Sequence, residues 1–293
     1  MSEIRIGMSG WTFPPWRGTF YPKGLAQKRE LEYASRRLNS IELNGSFYSL
    51  QKPSSYQAWY DETPEGFVFS LKGGQFLTHI KRLKDVRIPL ANFFASGILA
   101  LKEKLGPILW QFPANFAYDE ARFAEFFEMF PHDTEAAAEF SKECGAQMEG
   151  KSWMKTDKKR PIRYAVEVRH PSFLVPEFMK LLRKHKIAFV IGETAGKWPF
   201  AEEITSDFLY LRMHGDEALY SDGYTDEALD RWAARIKTWS SGKQPKDAKR
   251  VLDIAPPTST PRDVFVYFDN DLKVRSPIDA MALSKRLGIK PPK

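Results

Sequence analysis

Short stretches of this chain alternate between apolar and polar side chains. In YAVEVRH at 164–170, the first, third and fifth residues are apolar, whereas Glu167 and Arg169 fall on the opposite face. Because side chains alternate along a strand, this pattern predicts a strand with one apolar face and one that turns polar toward its carboxyl end. The same reasoning predicts eight strands, at about residues 3–9, 39–44, 67–72, 107–111, 163–169, 187–192, 207–214 and 264–269.

Apolar residues recur at helical spacing between most of these strands. Phe123, Phe126, Phe127 and Phe130 occupy positions i, i+3, i+4 and i+7, which indicates one face of a helix. Alternation of strand and helix over about 250 residues is typical of a closed barrel. We therefore predict an α/β fold, a (β/α)8 TIM-type barrel forming a single domain over 1–293. A helix and linker are inserted at 131–162, between strands 4 and 5, and the helix after strand 6 is weak or missing at 193–206.

An open, doubly wound sheet is the alternative to the barrel. Such a sheet buries both faces of its strands in apolar residues and often carries a glycine-rich turn after the first strand. Here the strands alternate, and the turn at 9–13 reads SGWTF, without a dinucleotide-binding glycine pattern. The barrel is therefore favoured.

Composition limits the environment and the partners. The chain has a formal net charge of +7, and Cys144 is its only cysteine, so an internal disulfide and a cysteine-built metal site are excluded. We expect a cytoplasmic protein without membrane partners, because no apolar run approaches the roughly 20 residues that span a bilayer. The positive charge favours anionic partners, nucleic acid included. The oligomeric state stays open.

Polar residues at the strand ends define the candidate site. Buried charges cost several kcal/mol each unless they are paired, so their convergence on one end of the barrel predicts a mouth that binds a polar molecule. A lattice of ion pairs, Glu42 with Lys72 and Asp269 with Arg212, is the purely structural alternative. The alternation places the following polar residues on the inward face: Ser9, Glu42, Asn44, Lys72, Gln111, Glu167, Arg169, Arg212, His214 and Asp269.

These residue types favour acid–base and electrostatic catalysis. Lys72, Arg169 and Arg212 can neutralise a phosphate, a carboxylate or a developing oxyanion. Carboxylates can move protons or hold sugar hydroxyls. We predict an enzyme for a small anionic or polyhydroxylated substrate, such as a sugar phosphate or a nucleotide; hydrolase, lyase and isomerase chemistry all stay open. The candidate catalytic residues are Glu42, Lys72, Glu167 and Asp269.

Other interpretations remain open beside this one. The basic charge and the aromatic loops fit a nucleic-acid-binding protein or a nuclease of the abasic-site type. A barrel that binds a ligand without turning it over is a third class. No cofactor is predicted, and a divalent metal among the carboxylates stays open although no local metal-ligand spacing occurs.

Ordered motifs along the chain resemble the YecE-like family of unknown function, also described as domain of unknown function number 72. The motifs are Ser9-Gly10-Trp11, Glu42-Leu43-Asn44 with Phe47-Tyr48, Gln111-Phe112-Pro113, Glu167-Val168-Arg169-His170-Pro171-Ser172, Leu211-Arg212-Met213-His214-Gly215 and Tyr267-Phe268-Asp269-Asn270-Asp271. This resemblance covers nearly the whole chain and implies a (β/α)8 barrel with a shared site at its mouth. It implies no particular reaction.

The resemblance also implies which side chains bind the substrate. Asp269 departs from the family pattern, which more often has Asn there, and the 131–162 insertion is longer than expected. The implied and inward-facing residues together give the candidate substrate-binding set: Ser9, Trp11, Asn44, Tyr48, Gln111, Arg169, His170, Arg212, His214 and Asn270.

Overall fold

Eight parallel strands form the centre of the protein. The computed structural model describes residues 2–215, 223–271, 274–290 and 292. The strands run in the order β1-β8-β7-β6-β5-β4-β3-β2, so β2 to β8 pair with their neighbours along the chain and β1 pairs with β8. They are β1 (Ile4–Met8), β2 (Ser40–Leu43), β3 (Val68–Lys72), β4 (Leu105–Gln111), β5 (Tyr164–Glu167), β6 (Ala188–Glu193), β7 (Phe208–Met213) and β8 (Asp263–Phe268). All eight predicted strands are confirmed.

The first and second strands close the barrel. Ser9 and Glu42 form a parallel bridge between them, and the backbone N–H of Gly10 donates to the carbonyl of Glu42 at 2.7 Å. The two backbones approach so closely that a Cβ on Gly7 would lie 2.0 Å from the carbonyl oxygen of Ser40. Glycine is therefore required at position 7 for closure.

Helices surround the strands, as the sequence predicts. They are α1 (Glu30–Ser35), α2 (Gly45–Tyr48), α3 (Pro53–Glu62), α4 (Arg87–Ala95), α5 (Glu120–Glu128), α6 (Thr134–Phe140), α7 (Pro176–Lys184), α8 (Asp226–Ser240) and α9 (Ser276–Arg286). The inserted segment contains α6 and two short 3₁₀ turns, and β6 passes to β7 without a helix. No helix within the described ranges is long and apolar enough to cross a bilayer.

Inward side chains fill the barrel in layers. The lower layers are apolar and aromatic: Leu109, Ala165, Ala188, Val190, Phe208, Tyr210, Phe265 and Tyr267. The hydroxyls of Tyr210 and Tyr267 lie 2.7 Å from those of Ser70 and Ser40, respectively. Such a packed interior is typical of the fold and leaves only the carboxyl end of the strands for chemistry.

Candidate functional site

The side chain of Arg212 is the centre of the barrel mouth. It is fully buried and extends inward from β7. Its guanidinium donates to Glu42 at 2.9 and 3.0 Å, to Glu167 at 2.7 Å and to Asp269 at 2.9 Å. Although burial disfavours its charge, the carboxylates of Glu42, Glu167 and Asp269 raise the pKa of Arg212 well above its usual value. One cation thus holds three acids from β2, β5 and the end of β8.

One of the two ion pairs of the purely structural alternative is wrong. Asp269 does pair with Arg212, but Glu42 pairs with Arg212 across the barrel and not with Lys72 on the adjacent strand. The reason is geometric, because the planar guanidinium presents a fork of donors that matches both oxygens of a carboxylate.

Glu42 is the most constrained of the three acids. Besides its two bonds to Arg212, it accepts hydrogen bonds from the hydroxyl of Ser9 at 2.8 Å and from that of Tyr210 at 2.7 Å. Its side chain is completely buried. Four donors therefore fix both of its oxygens, which is the arrangement expected of a buried charge that must be compensated.

Glu167 is held by two arginines. It accepts from Arg212 and, at 2.8 Å, from the Nε of Arg169. Burial opposes its charge, but Arg169 and Arg212 outweigh this effect and lower the pKa of Glu167 well below its usual value. The guanidinium of Arg169 stacks 3.7 Å from the ring centroid of Trp198. Glu167 is therefore a carboxylate at neutral pH.

Asp269 and His214 form a neighbouring pair. His214 Nδ1 lies 3.3 Å from the Asp269 carboxylate, and His214 Nε2 lies 3.3 Å from Arg212. Burial and the charge of Arg212 lower the pKa of His214, so its ring is neutral at pH 7. A neutral ring protonated at Nδ1 can donate to Asp269 and accept from Arg212. Despite its burial, Arg212 and His214 lower the pKa of Asp269 well below its usual value.

Lys72 differs from the other charged groups of the mouth. Its side chain is 8% exposed, and its Nζ lies 4.3 Å from the ring centroid of Phe47. Within the described part of the chain, this ammonium forms no hydrogen bond or ion pair with the protein. Burial and the charge of Arg212 lower the pKa of Lys72 to about 8, and Glu167, Glu42 and Asp269 only partly oppose this effect.

An aromatic cavity opens above this cluster. Its volume is about 580 Å³. Asn44 contributes an Oδ1 atom that is buried without a hydrogen-bond partner among the residues described. The aromatic and polar residues that line the cavity beside Asn44 include Ser9, Trp11, Phe13, Trp16, Tyr48, Trp59, Asp269 and Asp271. The walls thus combine ring faces with a few polar groups, as small-molecule sites commonly do.

Two titratable groups near the site lie outside the predicted set. Asp271 accepts a hydrogen bond from Trp16 Nε1 at 3.1 Å, and burial raises the pKa of Asp271 to about 7. His79 packs edge-on against Phe47, the ring that also contacts Lys72, with the two ring centroids 5.1 Å apart. Burial and the charge of Lys72 lower the pKa of His79 to about 4. Both residues follow a strand end, and Asp271 also belongs to the family motif at 267–271.

The remaining predicted residues are divided between the mouth and its surroundings. Gln111 is buried beside Glu167 in the strand register. His170 instead caps the turn at 171–173, where its Nδ1 accepts from the backbone N–H of Ser172. Asn270 is fully buried and bonds to Ser276 and Asp279 of α9. These contacts hold the loops, and a role of His170 and Asn270 in binding stays a prediction.

The carboxylates do not form an arrangement typical of a metal site. Within the residues described, no group of three or more His, Cys, Asp and Glu side chains is placed to hold an ion. The oxygens of Glu42, Glu167 and Asp269 are taken by the guanidinium of Arg212. A metal would therefore have to displace a saturated arginine.

Curated relatives match part of the chain. The UPF0759 protein YunF of Bacillus subtilis is 30% identical over 118 residues, which are 39% of this chain and 41% of YunF. The UPF0759 protein YecE of Escherichia coli is 26% identical over 171 residues, which are 58% of this chain and 50% of YecE. The aligned parts span half or less of these relatives.

Solved structures and a family model match nearly the whole chain. A DUF72 family protein from Thermotoga maritima is 25% identical with a TM-score of 0.71, covering 98% of this chain and 99% of its own. A DUF72 family protein from Enterococcus faecalis, at 16% identity and a TM-score of 0.70, shares the fold over 99% of this chain and 98% of its own. The model described as "Protein of unknown function DUF72" matches residues 5–293, so the chain belongs to the DUF72 family.

Proposed function

We propose that this barrel is an enzyme that binds a small anionic or polyhydroxylated molecule in its mouth and acts on it by acid–base and electrostatic catalysis. The observation that carries this proposal is Lys72, a buried cation at the mouth for which the described residues provide no hydrogen bond or ion pair. Burying an unpaired charge destabilises a fold, so such a group is typical of a functional site.

The surroundings of Lys72 support the same conclusion. Three acids lie in the same layer, yet each is bound to Arg212, and so the described residues provide the lysine with no counter-ion although acids are near. An anionic group of a substrate would supply that counter-ion. The cavity of about 580 Å³ beside Asp269 falls within the roughly 300–1,000 Å³ of small-molecule sites, and its aromatic walls suit the apolar face of a sugar ring or a base, although Lys72 is not among the residues that line it.

The proposal assigns different tasks to the charged residues. Glu42 and Glu167 position Arg212, since their hydrogen bonds hold its guanidinium in place. Lys72 and Asp271 have pKa values near neutrality, at about 8 and about 7. Groups with such pKa values transfer protons most effectively at neutral pH. Asp269, more open than the other two acids, and Asn44 would orient the substrate.

Depletion of metabolites tests this function directly. The purified protein is incubated with a mixture of sugar phosphates, nucleotides, keto acids and free sugars, and the mixture is followed by mass spectrometry. We expect at least one anionic or polyhydroxylated compound to be converted, and Lys72→Met to lose that conversion. An unchanged mixture, or equal conversion by Lys72→Met, would contradict the proposal.

Lys104 provides a matched control for the loss of a buried lysine. It is also only 5% exposed, but its Nζ donates to the carbonyls of Tyr60 and Thr63, both at 2.6 Å, beside the amino end of β4. Lys104→Met, compared under conditions where both variants are folded by circular dichroism, should keep the conversion. A metabolite that is bound but returned unchanged would instead indicate a ligand-binding barrel without catalysis.

The nucleic-acid alternative rests on the net charge of +7 and on the aromatic residues of the loops. The described part of the mouth cavity does not add to it, because no Lys or Arg side chain lines it to contact a run of backbone phosphates. A gel-shift assay at low salt with single-stranded, double-stranded and abasic DNA distinguishes the two classes. We expect no shift.

A further inference from the structure

We propose that Lys72 forms a covalent imine with the carbonyl group of a small anionic aldehyde or ketone. This inference rests on the function proposed above and narrows its substrate class. It starts from the position of the amine, which lies at the end of β3, almost buried, over the face of Phe47 and unbonded within the part of the chain described.

The first requirement of imine chemistry is a free amine, and the mouth provides one. A lysine is activated as a nucleophile when it is desolvated or placed beside another cation. Lys72 meets both conditions, because it is buried and Arg212 is the charge that most disfavours its protonation. Its backbone is also fixed, since the hydroxyl of Ser46 donates to its carbonyl at 2.7 Å and Gly73 packs against the Trp110 ring.

The second requirement is a group that carries protons. The amine attacks the carbonyl carbon, a C–N bond forms, and the electron pair of the C=O bond moves to oxygen, which takes up a proton. Water then leaves as the C–O bond breaks, so that a protonated amine and a carbonyl compound give an iminium ion and one water. His79, neutral at pH 7 and packed on the same Phe47 ring, is a candidate for moving these protons.

The third requirement, recognition of the substrate, points to an anion. Arg169 uses its Nε on Glu167, while its guanidinium plane lies on Trp198 and its side chain stays 17% exposed. The terminal nitrogens of this guanidinium have no hydrogen-bond partner among the described residues, whereas Arg212 is saturated. A carboxylate or phosphate on the carbonyl compound would complete the donors of Arg169.

Reductive trapping tests this inference. The protein is treated with sodium cyanoborohydride and pyruvate, dihydroxyacetone phosphate or uncharged dihydroxyacetone, and the modified lysines are mapped by peptide mass spectrometry. We expect labelling of Lys72 by pyruvate or by the phosphate ester, which distinguishes the two anions. Because a pKa near 8 increases the neutral amine at pH 7.5 on the order of 100-fold, Lys72 should react before exposed lysines.

The outcomes separate this inference from the broader function. Lys72→Arg keeps the positive charge but cannot form the imine, and it should lose both labelling and conversion, whereas Lys104→Met should keep both. Labelling of Lys72 no faster than that of surface lysines with all three probes would overturn the inference. If metabolites are still converted in that case, or if Lys72→Arg stays active, Lys72 acts as a cation and the proposed function survives without the imine.

Discussion

The buried lysines at the two ends of the barrel differ in what surrounds them. Lys104 has three acceptors within hydrogen-bond distance, and Lys72 has no acceptor among the described residues. An uncompensated buried charge destabilises the folded state, whereas a satisfied one contributes to it. If Lys72 has the proposed role, function and stability oppose each other at this residue.

Substitution of both lysines by Met measures this difference. At pH 7 we expect Lys72→Met to raise the free energy of unfolding by about 1–3 kcal/mol, and Lys104→Met to lower it by a similar amount. Urea denaturation provides both values. A loss of stability in Lys72→Met comparable to that in Lys104→Met would show that Lys72 is a structural residue.

The destabilising effect of Lys72 depends on pH, and the sign of this dependence can be predicted. The folded pKa of Lys72, about 8, lies below its unfolded value, so its unfavourable contribution is complete below pH 8 and disappears as the pH rises toward 10. The charges that set this pKa are Arg212, Glu167, Glu42 and Asp269. The stability gap between wild type and Lys72→Met should therefore narrow between pH 8 and pH 10. A constant gap would contradict the assignment.

Arg212 is the cation that forms ion pairs with all three acids of the mouth, Glu42, Glu167 and Asp269. In the wild type, the lowered pKa values of Glu167 and Asp269 contribute stability above their unfolded pKa values, and this contribution is lost as the pH falls through the folded ones. Arg212→Met would leave three carboxylates facing one another. We expect a loss of about 3–5 kcal/mol at pH 7.

Acidification should change the stability of Arg212→Met and of the wild type differently. From pH 7 to pH 5, Arg212→Met should gain stability, because its crowded carboxylates would take up protons, whereas the wild type should change little. Chemical denaturation at the two pH values checks this. A variant that loses stability on acidification would show that the acids do not depend on Arg212.

At the scale of single elements, β1 shows how tightly the barrel closes. Gly7 and Gly192 are both strand glycines, but a Cβ on Gly192 meets only Thr194 Cγ2, at 3.6 Å, while one on Gly7 would overlap the carbonyl of Ser40. Gly7→Ala should therefore prevent folding or cost several kcal/mol, and Gly192→Ala should be tolerated. Equal thermal midpoints of the two variants would refute the close approach of β1 and β2.

Among all features of the structure, the strands could be predicted best from the sequence. A two-residue period places side chains on one face regardless of the rest of the fold, and it predicts the strands as well as the inward positions of Glu42, Lys72 and Arg212. Beyond the end of each strand, the two-residue period no longer predicts the direction of a side chain. Asp271 and His79 lie beyond these ends, Asp271 in a loop and His79 in the short helical turn Phe76–Ile80, and the strand period could not indicate them.

At the scale of the molecule, the sequence predicts that the polar side chains at the strand ends meet at the barrel mouth, but it does not predict which of these side chains form ion pairs. Strand order suggested that Glu42 and Lys72, on neighbouring strands, would pair; distances across the barrel decide otherwise, and Arg212 reaches Glu42 from β7. Because of that exchange of partners, Lys72 has no ion-pair partner among the residues that the structure describes. This could not be predicted without coordinates.

The titration of Lys72 tests this central point most directly. Lysine labelled with ¹³C at the ε position, assigned by comparing wild type with Lys72→Arg, can be followed by NMR from pH 6 to pH 11. We expect one lysine signal to titrate near pH 8 and to shift when an anionic ligand binds in the mouth. A Lys72 signal that titrates above pH 10, like an exposed lysine, would contradict an unpaired amine at this site.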